Sequence, residues 1–158
     1  MGIKDNINIT FPDGNKREFE KGITGYQIAE SIAKSLAKDA IAININGIQK
    51  DLCDQIDSDS SISIITINTD EGLDIMRHTL TAQVLAKAVK TLYPEAKLAI
   101  GPTIEHGFYY DVLFEKPISS EDLPKIEKEM NKIISRGEVI NKKLYAKKDA
   151  IKLFDEIN

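Results

Sequence analysis

Two histidines, one cysteine and five tyrosines carry most of the reactive side chains of this 158-residue chain. His78 stands between Arg77 and Thr79 in a stretch with helical spacing. For acid–base work on a helix it needs a partner on the same face, at i+3 or i+4. Those positions hold Thr81 and Ala82, and Ala82 offers no chemistry. Gln83, at i+5, points elsewhere in a regular α-helix. A one-residue π-bulge would bring it back beneath His78. Without such a bulge, His78 reads as a solvated or packed helical histidine.

A second group surrounds the run Gly101-Pro102-Thr103-Ile104-Glu105-His106-Gly107. As a plain turn it needs glycine for backbone freedom and proline for stiffness. As a substrate loop it would work with a hydroxyl from Tyr109 or Tyr110, only one of which can face a pocket if the two lie in a strand. Glu105 and His106 fall at the expected tip. Lys87, Lys90 and Lys97, and later Lys142, Lys143, Lys147 and Lys148, are either solvated lysines or contacts for phosphates. Cys53 lies among acidic residues that disfavour its thiolate, so it reads as structural. The chain has no phosphate-binding glycine loop, no dinucleotide fingerprint and no Ser-His-Asp order. Two histidines and one cysteine are too few for a typical structural zinc site, and no metal site is expected.

The bulk properties narrow the class. The chain is 42% hydrophobic and 29% charged, with no tryptophan and a net charge of −4. Residues 1–70 hold the deficit, with 7 basic against 11 acidic side chains, whereas residues 121–158 hold 9 against 8. No block is basic enough to announce DNA or RNA by charge alone. No apolar run approaches the roughly 20 residues of a membrane helix, and residues 1–20 lack a secretory signal. A single cysteine excludes an internal disulfide and points to a reducing compartment, the cytoplasm.

The elements that must position these groups fall into two sets. Ile7, Ile9 and Phe11 alternate with polar residues as in a half-buried strand. Pro12-Asp13-Gly14 is a turn, and Asn15 to Glu20 returns as a second strand. Thr24 is an N-cap for a helix with Ile28, Ala29, Ile32, Ala33 and Leu36 on its apolar face. Ile41, Ile43 and Ile45 alternate up to the Asn46-Gly47 turn, and Ile62 to Ile67 is a last strand. This order predicts a β-grasp, or ubiquitin-like, unit. Asp70-Glu71-Gly72 then marks a boundary. A helix follows from Leu73 to Tyr93, ended by Pro94. Strands are predicted at Lys97 to Ile100 and Phe108 to Phe114. A second helix follows Ser119 or Ser120, with acidic residues in its first turn. Its buried face is Leu123, Ile126, Met130, Ile133 and Ile134. A strand near Val139 to Tyr145 and a helix over Lys148 to Ile157 complete the pattern. Little chain remains to cover Leu153 and Phe154, so a truncated larger domain is expected.

In order, these residues resemble a known family. Asp70-Glu71-Gly72-Leu73-Asp74-Ile75-Met76-Arg77-His78 leads into a helix ending Ala88-Val89-Lys90-Thr91-Leu92-Tyr93-Pro94. Ala99-Ile100-Gly101-Pro102 and Gly107-Phe108-Tyr109-Tyr110-Asp111-Val112 follow. The succession resembles the N-terminal region of bacterial threonyl-tRNA synthetases, and the first 67 residues resemble their TGS domain. The resemblance implies an α+β chain: a TGS domain over residues 1–68, then over 69–158 the first part of an α/β sandwich editing-type domain. The family's second domain hydrolyses serine mischarged onto threonine tRNA. Its pocket is built from an H-x-x-x-H pair, a later C-x-x-x-H pair and a tyrosine corresponding to Tyr110. Here His78 takes the first histidine position. Counted back from Pro94, Gln83 takes the second, with one residue inserted between. The C-x-x-x-H pair and the catalytic core, with its ATP, magnesium and zinc, lie outside this sequence.

The resemblance therefore implies tRNA(Thr) as partner, with neither DNA nor membrane. It also implies a parent homodimer through the absent core and a monomeric stretch here, unable to aminoacylate or edit alone. A free-standing trans-editing hydrolase would need the missing catalytic groups. A non-catalytic TGS adaptor would have no use for the GFYYDV strand.

Overall fold

The computed structural model describes residues 5–157, without the side chain of Ile157. The outer ends of the expected 1–68 and 69–158 divisions, residues 1–4 and 158, lie outside the described residues. Strand β1 (Asn6–Thr10) pairs antiparallel with β2 (Lys16–Glu20) through the Pro12-Asp13-Gly14 turn, where Gly14 adopts φ 82°. Short β3 (Ile23–Thr24) leads into helix α1 (Gly25–Ile32). Thr24 caps that helix reciprocally: its hydroxyl accepts from the Gln27 amide at 3.3 Å, and the Gln27 side chain accepts from the Thr24 N–H at 3.0 Å.

The predicted continuous helix is broken at Ala33, which is extended (φ −162°, ψ 142°), and resumes as α2 (Lys34–Asp39). Ser31 donates its hydroxyl back to the Ile28 carbonyl at 2.7 Å, a local bond that competes with regular helix. The break rephases the apolar face. Ile28, Ala29 and Ala37 are buried, whereas Ile32 is 41% exposed.

Strand β4 (Ala40–Ile45) turns at Asn46 (φ 52°) and Gly47 (φ 79°) into β5 (Ile48–Lys50). Positive φ at both central residues is the twist-matched hairpin turn that Asn-Gly favours. After β6 (Gln55–Ile56), which pairs with β3, the strand β7 (Ser60–Thr66) lies between β1, parallel, and β4, antiparallel. The sheet order β2-β1-β7-β4-β5 with α1 across one face is a ubiquitin-like β-grasp. Its core is almost wholly isoleucine: Ile7, Ile9, Ile28, Ile43, Ile56 and Ile62. Branched side chains suit a pleated half-buried surface, which explains the alternation in the sequence.

Thr69 begins the second half. Its hydroxyl accepts from the Gly72 N–H at 3.0 Å and caps helix α3 (Asp70–Thr79), so Asp70 to Gly72 form the first helical turn rather than a linker. A π-helical segment (Leu80–Leu85) and α4 (Ala86–Leu92) continue the same rod up to Pro94. The two predicted strands beyond it reduce to two-residue ladders. β8 (Lys97–Leu98) pairs with β11 (Val112–Leu113), and β9 (Thr103–Ile104) pairs with β10 (Gly107–Phe108). Between them irregular backbone bends the hairpin.

Helix α5 (Leu123–Ser135), with Pro124 in its first turn, crosses α4. Its N-cap is Asp122, and no acidic residue lies in the first turn itself. Of the predicted apolar face, Ile126 and Ile133 join Ala88, Val89 and Ala96 in a second core, while Leu123 and Ile134 are exposed. The carboxylate of Glu129 is buried instead, held by Lys132 at 2.7 Å. The expected strand from Val139 to Tyr145 is absent: Val139 (81%) and Leu144 (88%) are exposed. A strand needs a neighbour for its N–H and C=O groups, and no ladder forms there among the described residues. Helix α6 (Lys147–Ile157) follows.

Candidate functional site: the π segment and the loop against it

The long helix changes its hydrogen-bond step between His78 and α4. The Ala86 N–H bonds the Thr81 carbonyl, five residues back. One more residue is thereby taken up in the turn between His78 and the helix beyond. Thr81 is fully buried and donates its hydroxyl to the Arg77 carbonyl at 2.7 Å; Thr79 donates to Ile75 at 2.9 Å. Such back-bonds from threonine loosen regular helical geometry.

Loop 101–107 is laid onto this helix at two points, one in the π segment and one in α3. Gly101 presses against it so closely that a methyl on its Cα would fall 2.6 Å from Thr81 Cγ2 and 2.7 Å from Tyr110 Cε2. Glycine is required here by the approach, not by its dihedral angles. At the tip, Arg77 Nη1 donates to the Glu105 carbonyl at 2.9 Å. The Glu105 and His106 side chains project outward, 88% and 86% exposed and 3.6 Å apart.

The expected site residues are distributed around the rod. Tyr110 is half-buried beside Thr81 and Gly101, while Tyr109 is 50% exposed. His78 is exposed on α3. Gln83 is also exposed and lines a groove of about 330 Å³ with Lys87, Ile134, Val139 and Ile140. Thr81 and Gly101 join helix to loop; the sequence offered them only as the i+3 position from His78 and as a turn glycine.

Three of the seven lysines singled out in the sequence are engaged. Lys87 pairs with Glu138, Lys90 bonds the Pro94 and Ala96 carbonyls past the end of α4, and Lys142 reaches Asp54 at 2.5 Å. That last pair holds the Asp54 carboxyl below the ordinary aspartate range and raises the Lys142 ammonium. Lys143, Lys147 and Lys148 are exposed and make no ion pair among the described residues. Cys53 is exposed rather than a core residue; the Asp51 carboxylate, with partial burial, pushes its thiol up and away from reactivity. Among the described residues no His/Cys/Asp/Glu cluster could hold a metal, and no helix is long and apolar enough to cross a membrane.

Residues 7–66 match the TGS domain family. Over 155 residues, 98% of the chain, it is 49% identical to the threonine–tRNA ligases of Anoxybacillus flavithermus and Geobacillus sp. strain WCH70. It is 46% identical to threonine–tRNA ligase 1 of Bacillus subtilis strain 168. In each case the chain spans 24% of the relative's length. The chain thus carries a β-grasp TGS domain and is, along nearly its whole length, homologous to about a quarter of a threonine–tRNA ligase.

Proposed function

We propose that this chain serves within a threonine–tRNA ligase as the part that meets the acceptor arm of tRNA(Thr). In that reading it also contributes part of a pocket for hydrolysing serine mischarged onto that tRNA. Residues 1–68 act as the TGS module and 69–158 as the beginning of the editing-type unit. ATP, magnesium and zinc belong to a catalytic core elsewhere in the parent, which works in the cytoplasm as a homodimer. The observation that carries the reading is the π segment. A turn widened by one residue would take up the insertion that the resemblance implies and would bring Gln83 toward the face of His78.

The chemistry assigns unequal roles. Gln83 can donate and accept hydrogen bonds but takes no proton, so it would orient a water or the ester carbonyl. Acid–base work falls to His78, whose imidazole nitrogens can both accept and donate a proton. The Tyr110 hydroxyl, on a ring fixed by Gly101 and Thr81, would fix the serine end of the substrate. Excluding threonine by one methyl supplies only about 1–3 kcal/mol in a pocket, so positioned hydroxyl contacts must add to it.

The test is binding of the full chain to threonine tRNA and to an unrelated tRNA across a salt series. Preferential, salt-sensitive binding to threonine tRNA is expected, and equal affinity for the two overturns the role. Replacing Lys143, Lys147 and Lys148 by glutamine should flatten the dependence of log K on log salt by up to about 0.9 for each phosphate no longer neutralised.

A further inference from the structure

We propose that residues 142–152 form a landing surface for an unpaired RNA strand, on which lysines take the phosphates and the Tyr145 ring stacks on a base. RNA as the partner rests on the reading above; the surface itself rests on what the structure leaves uncovered. Within an acidic chain this stretch holds five lysines against one acidic residue, Asp149. Lys142 is taken up by Asp54, but Lys143, Lys147, Lys148 and Lys152 are exposed and make no ion pair among the described residues. Their placement does not serve α6. Lys147 and Lys148 stand in its first turn, where the helix dipole repels a cation, and Lys148 and Lys152 are like charges four residues apart on one face. Such a concentration of charge opposes folding by self-repulsion, and a bound polyanion relieves it.

Leu144 and Tyr145 narrow the kind of anion. They lie between the lysines, 88% and 52% exposed, in a stretch whose backbone forms no ladder among the described residues. The Tyr145 ring has no aromatic neighbour there, and its hydroxyl has no hydrogen bond. A duplex offers such a surface only phosphates, because its base faces are stacked inside. An unpaired strand offers phosphates and free base faces together, and an exposed ring in a basic, extended segment meets both. An anionic bilayer also combines charge with apolar material, but it selects a helix with a basic face. Here α6 carries three lysines against three acidic residues, and the excess of cations lies in the irregular stretch before it.

The experiment uses the whole chain and two probes: a fluorescently labelled oligoadenylate, and the same strand annealed to its oligouridylate complement. Anisotropy is read across a salt series. At moderate salt, where the charge contribution common to both probes is screened, the unpaired strand should bind several-fold more tightly than the duplex. Tyr145→Ala should weaken binding of the unpaired strand about tenfold and leave the slope of log K against log salt unchanged. Tyr145→Phe keeps the ring and should bind like the parent, and the Tyr145 ring protons of the parent should move upfield on binding. Replacing Lys148 and Lys152 by glutamine should instead flatten the salt slope, by up to about 0.7 for each phosphate no longer neutralised. Both side chains and Tyr145 are exposed, and unchanged amide signals of residues 6–66 confirm that each variant is folded. A duplex bound as tightly as the single strand overturns the proposal. So does a Tyr145→Ala chain that binds like the parent, or a Tyr145→Phe chain as weak as the alanine variant. A chain that ignores both probes overturns it too, and one that then sediments with phosphatidylserine–phosphatidylcholine vesicles assigns the surface to a bilayer. Neither probe is a tRNA. Equal affinity for two tRNAs would thus remove the role proposed above and leave this surface standing, whereas a silent Tyr145 would remove the surface and leave that role.

Discussion

Replacing Gly72 with alanine sets two local effects against each other. Gly72 lies in the first turn of α3, where alanine's smaller loss of backbone entropy favours helix by roughly 0.5–1 kcal/mol. Yet Gly72 is buried, and an added Cβ would lie 2.8 Å from the Thr66 carbonyl carbon and closer still to its oxygen. That oxygen accepts from the Thr69 N–H at 3.2 Å and from the Thr69 hydroxyl at 2.9 Å. The same hydroxyl caps the helix at Gly72. Relief therefore requires α3 to lift from the end of β7, with overpacking of about 1–3 kcal/mol and loss of a cap worth about 1 kcal/mol. Set against the propensity gain, the net is about 2 kcal/mol destabilising, or a fall of about 4–8 °C in Tm for a chain of this size. Lifting α3 also strains the bonds by which Glu71 receives Asn44 (3.4 Å) and Gln49 (3.1 Å). Thermal and urea unfolding followed by circular dichroism measure the effect. Gly107→Ala, with open space around its Cβ, is the control and should stay within about 0.5 kcal/mol of the parent. A Gly72→Ala chain as stable as the parent, or more so, would mean that propensity prevails and the close approach does not exist.

Other outcomes follow from single interactions. Thr24→Ala should cost about 1 kcal/mol by urea unfolding, and Gln27→Ala added to it should cost little more, because the two share one capping box. Gly101→Ala should push the Tyr110 ring from Thr81, seen as altered Tyr110 and Thr81 methyl shifts and destabilisation of about 1–3 kcal/mol; an unchanged spectrum would deny the close approach. The Asp54–Lys142 tether is pH-dependent. The lowered Asp54 pKa means its stabilisation is present at neutral pH and lost as pH falls from the ordinary aspartate value through the lower folded one. The raised Lys142 pKa makes its share vanish only at strongly alkaline pH. Backbone 15N relaxation of residues 139–145 should show more motion in acid, and Lys142→Met should reproduce that motion at pH 7.

Much of the β-grasp was legible because its determinants are local and repetitive. Alternating isoleucines fix which strand face is buried, and Pro-Asp-Gly and Asn-Gly fix the turns. Thr24 with Gln27 fixes where the helix begins. The break at Ala33 was not legible, because alanine favours helix and nothing in the local pattern opposes its continuation. The second half was read less well. The pattern from Val139 to Tyr145 has strand composition, but a strand exists only with a partner, and the described fold offers none. Ile134 and Leu123 fit a helical stripe whose outer edge has nothing to meet.

At the candidate site the division is sharper. Sequence proposed His78, Gln83 and Tyr110 as pocket candidates through a resemblance, and with them an extra residue between the first two. It could not determine whether the helix bulges, since α and π turns use the same backbone groups and differ by one step in partner. Tertiary structure decided that. Thr81 is buried against Gly101 and Tyr110, and loop 101–107 closes on the helix through Arg77, so the wide turn is held in place by packing that no local pattern encodes.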